Sequence, residues 1–118
     1  MYNERTNLQH FFNNVMIQLG YYDWTLNMVQ KSCEGYCWSR RKIIDMGTNV
    51  RIPKELLLHE IAHIQTARFC NQAHNPIFWK RFEYLMYKFL PNNEISKYNK
   101  MHKTFTTNGY YKLVYRRD

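Results

Sequence analysis

A chain of 118 residues can bury one hydrophobic core and is too short for two full domains. With 45% hydrophobic and 17% aromatic residues against only 4 Gly and 3 Pro, the composition excludes a disordered or collagen-like chain. The net charge of +8 makes a polyanionic partner an expectation, and half of it falls in 91–118, where six Lys and Arg residues face two acidic ones.

In chain order, Leu8, Phe11, Phe12, Val15 and Leu19 recur at helical spacing, with Asn7 as a possible cap and Gly20 where a helix would stop. Over 22–28, Tyr22, Trp24, Leu26 and Met28 alternate with polar residues, the period of a half-buried strand. Glu34-Gly35 offers a turn, and 36–45 reads as a second, partly exposed strand carrying Arg40, Arg41 and Lys42. A short third strand is expected near 49–52, giving a small antiparallel sheet. Pro53 and Glu55 suit the first turn of a helix over about 54–69. Asn75-Pro76 opens a last long helix with Phe78, Phe82, Leu85, Met86 and Phe89 as its buried stripe, and Pro91 ends it. The expected class is α+β, a single domain over 1–118 with its core in about 6–90 and a basic extension over 91–118. That extension holds a possible Asn108-Gly109 turn before a candidate strand over 110–115.

His59-Glu60-Ile61-Ala62-His63 is an H-E-x-x-H segment inside the strongest helical pattern. Residues four apart share a helical face, so both imidazoles can reach one Zn²⁺, and Glu60 is placed to hold and deprotonate a metal-bound water. A solvated helix with two incidental histidines is the blander reading. It is weakened by Leu56, Leu57, Leu58, Ile61, Ala62 and Ile64, which make the helix apolar nearly all round. A catalytic zinc site takes three protein ligands, and two candidates exist for the third: His74, in the loop ahead of the last helix, and Glu83, on that helix. His10 and His102 read as ordinary polar histidines. Cys33, Cys37 and Cys70 form neither a disulfide framework nor a zinc-ribbon spacing, so reduced thiols are expected.

The run Leu57-Leu58-His59-Glu60-Ile61-Ala62-His63, followed by His74-Asn75-Pro76-Ile77-Phe78-Trp79, resembles the SprT-like metallopeptidase family, with Asn75 where that family usually has Gly. Gly35-Tyr36-Cys37-Trp38 and Lys42-Ile43-Ile44 are similar to the strands that precede its active-site helix. The likeness covers about half of the chain, 35–90. It implies a minimal zincin-like fold, zinc held by His59, His63 and His74, Glu60 as general base, and hydrolysis of protein or peptide substrates. It further implies a substrate strand paired to the sheet edge, for which 36–45 is the candidate, and an association with DNA-attached proteins. No cysteine follows Cys70, so the zinc ribbon of some family members is not expected.

The second reading belongs to another class, a nucleic-acid-binding module whose zinc only holds the fold. Arg40, Arg41, Lys42, Lys112, Arg116 and Arg117, interleaved with aromatic residues, would neutralise phosphates without reading sequence and would favour single strands. Neither a membrane span nor a secretory signal is recognisable, so the expected location is the cytoplasm.

Overall fold

The computed structural model describes residues 4–95 except 33, 51 and 71–73. Helix α1 (Glu4–Leu19) leads to strands β1 (Thr25–Val29), β2 (Gly35–Trp38) and β3 (Ile43–Gly47), then to helices α2 (Pro53–Cys70) and α3 (Pro76–Phe89) and a 3-10 turn, Asn92–Glu94. The class is α+β, as the periodicities imply.

Helix α1 begins before Asn7, which therefore lies inside the helix and does not cap it. Its end is the expected one. Gly20 takes φ +84°, and Tyr21 N donates to Met16 O at 2.8 Å, the bond by which a left-handed glycine closes a last turn. Leu8, Phe12, Val15 and Met16 are buried, with Phe11 and Leu19 packed beside them.

The sheet departs from the expected one in three ways. The stretch 36–45 is a hairpin, not one strand: β2 and β3 pair antiparallel, with Cys37 opposite Ile44, and Arg40, Arg41 and Lys42 lie in the turn, where Lys42 takes φ 56°. Three consecutive cations are better hydrated in a turn than laid along a half-buried strand. No strand forms near 49–52 among the described residues. Thr48 and Asn49 turn there, their amides donating to Val29 O and Ser32 O. The sheet is mixed, in order β1-β3-β2, because β3 inserts between the first two strands and runs parallel to β1. Its Ile44 and Met46 are fully buried, which suits the central place. Of the expected edge strand, only the β2 half is an edge.

Leu26, Cys37, Ile44 and Met46 form the inner face, while Thr25, Asn27, Tyr36 and Trp38 stay exposed, the alternation of a one-sided sheet. Helix α2 packs against α1, α3, β2 and β3. Gly35 marks the closest approach: a Cβ there would lie 3.2 Å from Leu56 Cδ2 and 3.4 Å from Glu60 Cγ. Gly35 therefore opens β2, and its missing side chain seats the strand on α2. Helix α3 buries Phe78, Trp79, Phe82, Leu85 and Met86, each contributing about 1.5–3 kcal/mol. The core runs past residue 90 to Ile95. No helix among the described residues is long and apolar enough to cross a membrane.

Candidate metal centre

Because α2 is surrounded on several sides, Glu55, His59, Glu60, His63 and Thr66 are buried with its leucines. His59, Glu60 and His63 are each only 6% exposed. Further along, Thr66 satisfies its hydroxyl by donating to Ala62 O at 2.7 Å.

The third imidazole comes from the start of α3. Asn75 caps that helix, its Oδ1 accepting from Phe78 N at 3.1 Å, with Pro76 in the first turn. The cap has φ −94°, open to any residue, so Asn75 sits here without strain and adds a capping oxygen. His74, immediately before the cap, is turned back onto α2. Its Nε2 lies 3.2 Å from His59 Nε2 and 3.0 Å from His63 Nε2. Two nitrogens bound tetrahedrally at zinc–nitrogen distances of about 2.0–2.1 Å would stand about 3.3–3.4 Å apart. These three residues could therefore hold a metal ion, and an imidazole set suits zinc, copper, nickel or iron.

Aromatic rings support the histidines. The His63 ring stacks on Phe78, with centroids 4.4 Å apart and planes at 30°, and His59 meets Phe78 and Phe82 edge-on at 4.9 and 5.3 Å. His74 tilts over Trp79 at 5.3 Å. His63 Nδ1 is buried with no hydrogen-bond partner among the described residues, so stacking sets that ring's orientation. The sequence reading assigned Phe78 and Phe82 to the core stripe and gave Trp79 no role. The signal available is their spacing behind His74, which places Phe78 and Trp79 in the first turn of α3 and Phe82 one turn further on the same face.

The electrostatics follow from burial. Desolvation, with smaller contributions from the other imidazoles, holds His59 well below the usual histidine range, and it lowers His63 to about 4. Both rings are neutral at pH 7, the form that binds metals. Glu60 Oε2 is 4.0 Å from His59 Nε2, and burial pushes its carboxyl up to about 8. Cys37, buried on the sheet's inner face, is a free thiol raised by the same desolvation.

The other candidates lie elsewhere. Glu83 lines an outer groove of α3 with Lys80, Tyr84, Tyr87 and Lys88 and is not part of the histidine cluster. His10 is exposed on α1, and His102 lies outside the described residues. Arg40, Arg41 and Lys42 are exposed in the β2–β3 turn, with Lys42 paired to Asp23. Lys112, Arg116 and Arg117, like the candidate strand over 110–115, lie outside the described residues. Comparison with known proteins returns no matching family model, no similar curated protein and no similar solved structure.

Proposed function

We propose that this chain is a zinc-dependent peptidase of the SprT-like, zincin type. The observation that carries the reading is the convergence of three imidazole Nε2 atoms beside a buried carboxyl, Glu60, which shares helix α2 with buried Leu56, Leu57, Leu58 and Ile61.

The residues suit zinc: three imidazole donors, two buried and the third, His74, exposed to solvent. A bound zinc supplies Lewis acidity that polarises a scissile carbonyl and acidifies the attacking water. His59 and His63 bring no charge of their own, so the ion's charge is undiminished. Glu60 accepts the proton of the attacking water and returns it to the leaving amine. Its raised pKa belongs to the protein without metal, and a neighbouring dication favours the carboxylate that a base requires. The backbone of β2 passes over Glu60 at Gly35, and β2 is a sheet edge, so an extended peptide added there would run beside the base.

Against a purely structural zinc site stands Glu60 itself: a fold-holding site needs no buried carboxyl beside its ligands. The test is hydrolysis of an unfolded protein by zinc-loaded protein, by chelator-treated protein and by Glu60→Gln. Cleavage should need zinc and should fall by at least about 100-fold in Glu60→Gln, which keeps the metal. Equal cleavage by the variant removes Glu60 from its role, and no cleavage by the zinc-loaded wild type removes the peptidase reading.

A further inference from the structure

The outer face of β2 carries an ordered structure that the chemistry above does not use. Tyr36 and Trp38, two residues apart on one face, are 51% and 42% exposed, with ring centroids 4.6 Å apart. The Trp38 indole N–H donates to Asp45 Oδ2 at 2.7 Å, and Asn27 Nδ2 donates to Asp45 Oδ1 at 2.9 Å, so all three strands hold the indole in place. The Arg41 guanidinium sits 5.4 Å from the Trp38 ring centroid. Large aromatic side chains left in water yet fixed by a hydrogen-bond network mark a contact surface. Among the described residues no strand pairs with the other edge of β2.

We propose that Tyr36, Trp38 and Arg41 select the substrate: an extended peptide bearing an aromatic or large aliphatic side chain and, two residues away, an acidic one. The proposal rests on the peptidase reading, since it takes the peptide to be paired along the free edge of β2. In such a pair, alternate peptide side chains project to the outer face, about 4.5–5.5 Å from the strand residues they oppose. The two that face Tyr36 and Trp38 are therefore two residues apart. An apolar ring extends the Tyr36–Trp38 pair. A carboxylate beside Trp38 reaches Arg41, and Arg40 in the same turn adds to the field. The Asp45 carboxylate keeps its charge while accepting two hydrogen bonds, but Asp23 is paired with Lys42, and the Arg40 and Arg41 guanidiniums in the turn after Trp38 outnumber Asp45. A peptide is favoured over a nucleic acid here because the free edge of β2 offers backbone amides and carbonyls that pair with an extended peptide and not with a sugar-phosphate chain.

The experiment is cleavage-site profiling of the zinc-loaded, full-length protein on a synthetic peptide library randomised at every position. Cleaved peptides should be enriched in an aromatic and an acidic residue two positions apart. Trp38→Ala should raise KM about 2- to 10-fold on such a peptide with kcat little changed. Arg41→Glu should exchange the acidic preference for a basic one. Because Trp38→Ala also deprives Asp45 of a donor, Arg41→Glu, a change at an exposed turn residue, carries the test if Trp38→Ala fails to fold. Cleavage with no such preference, or with a preference that both variants retain, overturns the subsite and leaves the peptidase reading standing. If the zinc-loaded wild type cleaves nothing, the peptidase reading fails, and anisotropy of a labelled aromatic–acidic peptide on Glu60→Gln protein decides the surface. Binding weakened by Trp38→Ala keeps it as a peptide-docking face, and unchanged or absent binding removes it. A single-stranded oligonucleotide that displaces the peptide and binds more tightly reassigns the face to nucleic acid.

Discussion

A neutral imidazole carries one N–H, so His74 Nε2 can donate to His59 or to His63 but not to both, although it stands within 3.2 Å of each. A shared cation resolves that arrangement, because all three lone pairs then point at one positive centre. His74→Ala should therefore lower zinc affinity by at least about 100-fold, whereas Glu83→Ala, on the outer groove of α3, should leave it unchanged. Isothermal titration or competition with a chromogenic chelator reads both, and normal binding by His74→Ala would discard the ligand set. At this scale much of the candidate site was legible in the sequence. Four-residue spacing puts His59 and His63 on one face whatever surrounds them, and the leucines flanking them announce burial. The choice between His74 and Glu83 was not legible from spacing, since it depends on where a loop returns in space.

At the scale of elements, the cap of α3 positions a candidate ligand, His74. Asn75 bonds the Phe78 amide, Phe78 is the ring on which His63 stacks, and His74 is the residue before the cap, so one turn sets two of the three donors. Asn75→Ala should lower stability by about 1 kcal/mol, whereas Asn75→Gly, the residue usual in the resembling family, should lower it by only a few tenths. Denaturant midpoints give the comparison, and zinc affinity should weaken more in the Ala variant than in the Gly variant. Equal stability of all three proteins would mean that the cap bond does not hold the turn. Helix α3 could be read from its periodicity and helix α2 from its long apolar run, each with a proline at its start. The sheet could not. Run 36–45 has β-forming residues throughout, and only the turn at Arg40, Arg41 and Lys42 divides it. Strand order is a long-range matter: β3 takes the centre because Ile44 and Met46 are its best-buried pair, and that insertion makes β1 and β3 parallel.

For the whole molecule, burying two histidines and a glutamate around one small centre makes stability depend on pH and on metal together. Without metal, His63 titrates near 4 when folded against an ordinary 6.5, and His59 is shifted in the same direction. Below pH 6.5 the unfolded chain gains protons that the folded one refuses, so these residues make stability fall as pH falls. Glu60 acts in the opposite sense. Folded, it stays protonated to about 8, while its ordinary value is 4.5, so between those limits stability falls as pH rises. From 4.5 to 6.5 two histidines outweigh one carboxyl, and above 6.5 only Glu60 still titrates, so their combined contribution peaks near pH 6.5. Its alkaline limb should fall by at most about 1.4 kcal/mol per pH unit up to pH 8. Zinc should raise the whole curve, by about 4 kcal/mol at a thousandfold excess over its dissociation constant, and should flatten the alkaline limb, since a neighbouring dication favours ionised Glu60. Urea midpoints of chelator-treated and zinc-loaded protein across pH 5 to 8 test both parts, with the metal-free Glu60→Gln variant isolating the carboxyl. An alkaline limb of the same slope in that variant would assign it to another group, and midpoints unmoved by zinc would separate the three histidines from any metal.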